Sequence, residues 1–325
     1  MDAAERHTPV MLDRCVDLLA PALTKPGAVA IDGTLGMGGH TEAILTRCPE
    51  ATVVGIDRDP QAIDLASARL ARFGDRFRAH HAEYDDIAGA LALAGADAAD
   101  GILLDLGVSS LQIDEAERGF SYAQDAPLDM RMNPEDPVSA ADLLRDASQE
   151  ELTRILRDYG EERFAARIAE AIVRRRAQAP ITRSGELVDL VRACIPAATR
   201  TPGSNPAKRT FQGLRIAVNR ELEVLERALP RAIEGTAIGG RVVVMSYHSL
   251  EDRIVKRAFA AGAESTAPVG LPVVPDEDAP YLRLLTRGAE KASAAEAEAN
   301  PRSKPVRLRA VERVRATPAS RRRAA

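Results

Sequence analysis

Short apolar runs alternate with stretches of helical periodicity over the first third of the chain. The apolar runs are typical of buried strands, and they lie at residues 28–32, 52–57, 76–84 and 101–107. Residues 40–48 and 59–73 have the apolar spacing of helices, and the second stretch opens with Asp59 as N-cap and Pro60 at its first position. Strands that alternate with helices predict a parallel sheet with helices on both faces.

The strand pattern stops after residue 107 and returns only at residues 239–249, where a valine run is typical of a buried strand. The intervening chain is predicted to be helical at 147–160, 163–178, 184–195 and 211–234, the last as one long amphipathic helix. A helix at 250–262 and an antiparallel strand pair at 281–286 and 306–314 then complete the sheet. The pattern predicts an α/β sheet domain, residues 1–107 and 216–325, interrupted by a mostly helical insertion at 108–215.

Charge is distributed unevenly along this chain of 325 residues, although its net charge is only −4. Residues 163–220 carry 12 Lys and Arg against 3 Asp and Glu, whereas residues 85–162 carry 5 against 19. A basic block inside an acidic chain indicates a local polyanion contact, and a solvated helix face is the alternative. The candidate residues for this contact are Arg174, Arg175, Arg176, Lys208, Arg209 and Arg215.

Composition argues against several classes of protein. No apolar stretch reaches the length of a membrane span, and the N-terminus lacks the pattern of a secretory signal. Cys15, Cys48 and Cys194 are far apart, which argues against a disulfide framework or a zinc site and favours a reducing cytoplasm. We therefore expect a cytoplasmic protein without a membrane segment or a metal, and homodimerisation is left open.

The glycines of "AIDGTLGMGGHTEAIL", residues 30–45, follow the first predicted strand. The loop lacks the lysine of a phosphate-binding loop, and Thr41 stands where a dinucleotide fingerprint needs its third glycine. Asp57 ends the second apolar run, where a carboxylate can accept the hydroxyl groups of a ribose. S-adenosylmethionine fits this pattern, while a nicotinamide cofactor and a purely structural turn remain alternatives.

Six segments together resemble the bacterial ribosomal RNA small-subunit methyltransferase H family. They are "HTPVMLDRCVDLL", "IDGTLGMGGHTEAIL", "GIDRDPQAI", "DGILLDLGVSSLQIDEAERGFSY", "RTFQGLRIAVNRELE" and "SYHSLEDRIVK". The resemblance implies a class I methyltransferase fold, Rossmann-like, with a helical insertion. It also implies methyl transfer from S-adenosylmethionine to the exocyclic N4 of a cytidine in small-subunit (16S) ribosomal RNA, near the decoding centre and the P site.

The resemblance also implies the residues of the site. The cofactor-binding residues that it implies are Gly38, Gly39, His40, Asp57, Tyr84, Asp105 and Gln112. Asp105 and His248 lie at the ends of predicted strands, at the edge where open α/β sheets bind ligands, and they are the candidate catalytic residues. Ser109 and Ser110 are further acceptors or simple helix caps.

The acceptor is predicted to be an amine. No cysteine ends a strand at the functional edge, and methylation of a ring carbon needs a cysteine nucleophile. The predicted partner is 16S ribosomal RNA within the small ribosomal subunit. The alternatives are another nucleic-acid amine as substrate, or a non-catalytic RNA-binding assembly factor.

Overall fold

A computed structural model describes residues 9–200, 205–268 and 273–322 of the chain. The chain divides into two compact units. The first, here called the sheet unit, runs up to Gly107 and resumes at Leu222. The second, here called the helical unit, is Val108–Glu221, so that its last residue lies beyond the predicted boundary at residue 215. None of the described helices has the length and hydrophobicity that crossing a bilayer requires.

The sheet unit contains one sheet of seven described strands in the order β3-β2-β1-β4-β5-β7-β6. The strands are β1 (Val29–Asp32), β2 (Thr52–Asp57), β3 (Phe77–His81), β4 (Ala99–Asp105), β5 (Thr236–Ser246), β6 (Leu282–Leu284) and β7 (Arg307–Arg313). The first five pair in parallel, and β7 is antiparallel to both of its neighbours. This order is Rossmann-like, and it confirms the predicted class I methyltransferase fold and the antiparallel pair at its edge.

Helices cover both faces of the sheet because its strands are apolar on both sides. On β1, Ala30 packs into the core on one face and Ile31 into the core on the other. Val243 and Val244 of β5 likewise pack into the cores on opposite faces of the sheet. The helices of this unit, with α11 starting at the boundary, are α1 (Leu12–Leu23), α2 (Gly39–Arg47), α3 (Pro60–Leu70), α4 (Ile87–Ala94), α11 (Glu221–Gly235), α12 (Ser249–Ala263), α13 (Ala294–Ala299) and α14 (Ala319–Arg322).

The helical unit has a core of its own, formed by the apolar faces of short helices. The helices of this unit are α5 (Ser110–Asp114), α6 (Ala140–Asp146), α7 (Gln149–Asp158), α8 (Ala165–Arg176), α9 (Ser184–Cys194) and α10 (Lys208–Asn219), of which α6 to α10 contribute to this core. The predicted helices at 147–160, 163–178 and 184–195 correspond to α7, α8 and α9.

The prediction of one long helix at 211–234 is wrong, because the chain breaks between α10 and α11. Arg220 adopts a left-handed backbone conformation with φ of 52°. The Asn219 side chain accepts from the Met132 N–H at 2.7 Å and donates to the Met130 carbonyl at 2.8 Å. These bonds hold the end of α10 against a distant segment, which a periodic apolar pattern cannot reveal.

Candidate active site

The loop after β1 is hydrogen-bonded to the end of β2. The Leu35 N–H donates to the Ile56 carbonyl at 2.9 Å, and the Gly36 N–H donates to Asp57 Oδ2 at 2.8 Å. Gly38 has a φ of 78°, and a Cβ on it would stand 2.9 Å from the Leu70 side chain. The conformation therefore requires glycine at this position, and it leads directly into the first turn of α2.

Asp57 is half-buried at the tip of β2. Its Oδ1 accepts from the Asp59 N–H at 2.9 Å, while Oδ2 accepts the Gly36 bond. Burial raises the pKa of Asp57 to about 6, and the two backbone donors act in the opposite direction. A carboxylate has about four lone-pair sites, so two backbone donors leave room for further hydroxyl groups.

A second carboxylate, Asp32, is buried where β1 enters the glycine loop. Its Oδ2 accepts from the Thr41 hydroxyl at 2.7 Å, and its Oδ1 accepts from the Thr34 N–H at 3.2 Å. Burial raises the pKa of Asp32, which these donors oppose. The sequence analysis missed the roles of Asp32 and Thr41, although an acid directly before a glycine loop was a visible signal.

Asp105 ends β4, on the other side of β1 from β2. Its backbone N–H donates to Thr34 Oγ1 at 2.6 Å, so the loop after β1 is also fastened to β4. Its Oδ1 accepts from the Tyr247 hydroxyl at 2.7 Å, and its Oδ2 lies 3.7 Å from His40 Nδ1. Burial raises the pKa of Asp105 to about 6, while His40 and the Tyr247 bond act to lower it.

Tyr247 is a site residue that the sequence analysis did not single out. It follows β5 directly, and burial together with Asp105 raises the pKa of its hydroxyl well above the ordinary value. The hydroxyl therefore stays protonated and donates a hydrogen bond to Asp105. The available signal was its position in "SYHS", immediately after a buried strand at the functional edge.

His248 is the N-cap residue of α12, beside Tyr247. Its Nε2 lies 3.1 Å from Glu251 Oε1, without the angles of a hydrogen bond. Glu251 Oε2 also accepts from the Tyr247 and His248 backbone N–H groups, at 2.8 and 3.2 Å. The structure thus brings His248 to the predicted edge of the sheet and pairs its ring with a buried acid.

The two remaining cofactor candidates lie in different units. Tyr84 is half-buried after β3, and a Cβ on Gly33 would be 3.4 Å from its Cβ. Gln112 lies in the helical unit, where its Oε1 accepts from the Ser109 N–H at 3.1 Å and its own N–H donates to Ser109 Oγ at 3.3 Å. Ser109 is therefore the N-cap of α5, which was the structural alternative for this residue.

Three of the six candidate RNA-binding residues are partly buried and make side-chain hydrogen bonds within the helical unit. Arg175 donates to the Ala179 carbonyl at 2.7 Å. Arg176 donates to the carbonyls of Leu144 and Ala147, at 2.6 and 2.7 Å. Arg215 forms a bidentate salt bridge with the Glu221 carboxylate, with N–O distances of 2.9 and 3.0 Å. These side chains hold the helices of the unit together.

The other three candidates extend from the surface of the helical unit. Arg174 is 69% exposed, with only a 3.6 Å pair to Glu170 on its own helix. Lys208 and Arg209 are exposed at the start of α10, and Arg209 donates to the Glu161 carbonyl at 3.0 Å. Arg174, Lys208 and Arg209 are thus the exposed candidates among the six, and their contact with RNA stays a prediction.

Comparison with known families identifies the chain. The model of the MraW methylase family matches residues 4–314. The chain belongs to this family. Ribosomal RNA small subunit methyltransferase H of Beutenbergia cavernae is 64% identical over 97% of this chain and 95% of its own length. The protein of the same name from Saccharopolyspora erythraea is 62% identical over 96% and 95%.

Among solved structures, an rRNA methylase from Streptococcus thermophilus aligns with 95% of this chain and 99% of its own. Its TM-score is 0.43 and its sequence identity is 10%, a likeness too weak to support any inference. Membership of the MraW methylase family thus rests on the sequence match. It confirms the resemblance carried by the six motifs, and it makes the chain a methyltransferase.

Thr41→Val tests the support of the buried Asp32 carboxylate. The valine leaves that oxygen without its hydroxyl donor, so we expect the free energy of unfolding to fall by about 1–3 kcal/mol. Urea denaturation measures this change. Thr46→Val is the matched control, because its exposed hydroxyl donates only to Glu42 within the same helix. Equal losses of unfolding free energy in the two variants would show that the hydrogen bond to Asp32 stabilises the fold no more than the exposed bond of Thr46 does.

Proposed function

We propose that this protein transfers the methyl group of S-adenosylmethionine to the exocyclic N4 of a cytidine in 16S ribosomal RNA, near the decoding centre and the P site. As a member of the MraW methylase family, it is an S-adenosylmethionine-dependent ribosomal RNA methyltransferase. The observation that supports the finer proposal is the pair of half-buried acids, Asp57 and Asp105, on strands that flank β1. One acid is suited to the ribose of the cofactor and the other to an amine.

The residues present fit the cofactor. Gly38, Gly39 and His40 open α2, where backbone N–H groups and the helix dipole favour the carboxylate of an amino acid. A Cβ on Gly39 would overlap the Pro9 ring, so the close packing of Pro9 requires glycine at this point. Asp57 has lone pairs left for both ribose hydroxyls. The bound cofactor supplies a methyl group that its sulfonium makes electrophilic.

Tyr84 completes the proposed cofactor site within the sheet unit, because it places an aromatic ring after β3 for the adenine. The loop that carries it is held by Arg227, which donates to Glu83 at 2.8 Å and to Asp85 at 2.7 Å. Gln112 is a cofactor residue by resemblance to the family alone, and within its own unit its amide oxygen caps α5.

Asp105 is the residue that we propose for the amine. The lone pair of an exocyclic cytosine amine is delocalised into its ring, and an acceptor for the amine hydrogens localises it on nitrogen. A fixed carboxylate also stabilises the positive charge that develops there. Tyr247 and His40 hold the two carboxylate oxygens in place. His248 contributes through Glu251, which fixes the turn that carries Tyr247.

The cysteines argue against attack on a ring carbon. Cys15, Cys48 and Cys194 are all buried, and burial raises the pKa of each thiol. A covalent nucleophile needs the thiolate, which such surroundings disfavour. Cys15 also has the Asp105 and Asp32 charges nearby, which raise the pKa of its thiol further. The proposal of an amine acceptor therefore agrees with the chemistry of these thiols.

The exposed cations of the helical unit are the proposed contact with the RNA backbone. Arg174, Lys208 and Arg209 point into solvent, and phosphate contacts of this kind give affinity without reading sequence. We propose the small ribosomal subunit in the cytoplasm as the setting. Arg175, Arg176 and Arg215 then support this surface through the bonds that order their helices.

Nucleoside analysis tests the proposed product. We expect N4-methylcytidine after small subunits lacking this modification are incubated with the protein and isotope-labelled S-adenosylmethionine. Mass spectrometry of digested 16S RNA identifies the nucleoside and its fragment. Asp105→Asn keeps the shape of the side chain but removes its charge, so turnover should fall by more than cofactor affinity does. A methyl group on a ring carbon, or equal losses of turnover and affinity, would contradict the assignment of Asp105 to the amine.

Asp57→Ala tests the ribose contact. Each charge-assisted hydrogen bond contributes about 1.5–3 kcal/mol, so we expect cofactor affinity to fall about tenfold or more. Because the pKa of Asp57 is about 6, wild-type affinity should weaken as pH falls through that value, and the variant should lack this contribution. Calorimetric titration measures both effects. Asp64→Ala removes an exposed acid from α3 and is the control; equal affinity in the two variants would exclude Asp57 from the site.

A charge-reversed pair tests the RNA surface. Arg174→Glu with Lys208→Glu should weaken binding to 16S RNA and flatten the log–log salt dependence by about 1.4, at about 0.7 for each contact. Filter binding across a salt series measures the slope, and cofactor affinity should stay the same. Arg145→Glu with Arg157→Glu is the control, because each of these arginines is paired with an acid beside it in sequence. Equal slopes for the two double variants would place the RNA contact elsewhere.

A further inference from the structure

His40 is held by its two ring nitrogens between a carbonyl and a carboxylate. The ring is buried, with Nε2 3.1 Å from the Val10 carbonyl oxygen and Nδ1 3.7 Å from Asp105 Oδ2. A carbonyl oxygen can only accept, so Nε2 carries a hydrogen in this arrangement. A neutral ring would then turn the lone pair of Nδ1 toward the carboxylate, whereas an imidazolium would turn an N–H group toward it.

Among the groups that act on Asp105, His40 is the one that can carry a positive charge. Asp32 from β1 and Glu251 from α12 are acids, and negative charge on either of them opposes the ionisation of Asp105. Tyr247 and the Cys15 thiol also face it, and neither can become a cation. His40 can become one, and it lies where it also acts on Asp32. A proton on His40 therefore offsets negative charge on two buried acids at once.

We propose that His40 is a positioning residue that keeps Asp105 ionised, by holding on Nδ1 the proton that burial would otherwise place on the carboxylate. The Val10 carbonyl directs this proton, because it fixes Nε2–H on the opposite side of the ring. The segment before α1 thereby takes part in the site, and its place is secured from elsewhere: the Met11 N–H donates to Glu296 Oε1 at 2.6 Å. The inference rests on the proposed role of Asp105.

His40→Gln separates charge from position. The glutamine can keep the donor to Val10, but it offers Asp105 no cation. An opposite charge at this distance lowers the pKa of a carboxyl by about 1 unit or more, so its loss should move the acid limb of the turnover profile up by about one pH unit. His80→Gln is the matched control, since His80 pairs with Asp86 at 2.8 Å outside the site, and its profile should match the wild type. A His40→Gln limb at the wild-type pH would overturn the inference.

Nitrogen NMR of the histidine rings tests the same point without cofactor or RNA. The chain has 5 histidines, and the His40 signals are those that remain in every single variant of the other four. Near pH 6 we expect both ring nitrogens of His40 to carry hydrogen in the wild type, with a smaller protonated fraction on Nδ1 in Asp105→Asn. A neutral ring with hydrogen on Nε2 alone, in both proteins, would overturn the inference.

The two experiments separate this inference from the proposed function. If Nδ1 of His40 is protonated but no N4-methylcytidine forms, the inference about His40 holds and the proposed reaction is refuted. If N4-methylcytidine forms but the acid limb of His40→Gln is unshifted, the proposed reaction holds and the inference about His40 is refuted. The Asp105→Asn spectrum leaves His40 in place, so it stays decisive even if the glutamine variant folds poorly.

Discussion

The hydrogen bonds that fasten the glycine loop to the ends of its two neighbouring strands are the constraint on which the sheet unit's site depends. Gly36 bonds the Asp57 carboxylate on β2, and Thr34 accepts from the Asp105 backbone on β4. The loop cannot shift without breaking one of these bonds. The first turn of α2, which starts directly after the loop, is therefore fixed relative to both acids, as a site that holds a cofactor beside a reacting group requires.

Three acids are concentrated at this edge of the sheet, and their burial opposes folding. Burial raises the pKa values of Asp32, Asp57 and Asp105, so each is less stable as a carboxylate here than in water. Each acid is matched by donors from backbone, hydroxyl or imidazole groups. Such perturbed acids, gathered in one place and each provided with donors, are characteristic of functional sites rather than of packing.

The helical unit shows why charge alone is an incomplete guide. Six basic residues in one block appeared equivalent in the sequence, yet Arg175, Arg176 and Arg215 donate to carbonyls or to an acid within the unit. A guanidinium has five donors and a long apolar stem, so it can link backbone segments as readily as it can bind phosphate. Which of these it does depends on the neighbours that folding supplies.

The sequence by itself determined the strands, most helices, the glycine loop and the family, because strand and helix periodicity and motif spacing are properties of local chain. The acids Asp57 and Asp105 could be found because each ends an apolar run. Only the tertiary structure paired Tyr247 with Asp105, which is 142 residues away, and His40 with Val10, and only it ended α10 at Asn219. A single chain's periodicity records which side of an element is buried. It does not record which distant polar atom a side chain contacts after folding. In this protein, such long-range contacts orient the side chains of Asp105 and His40.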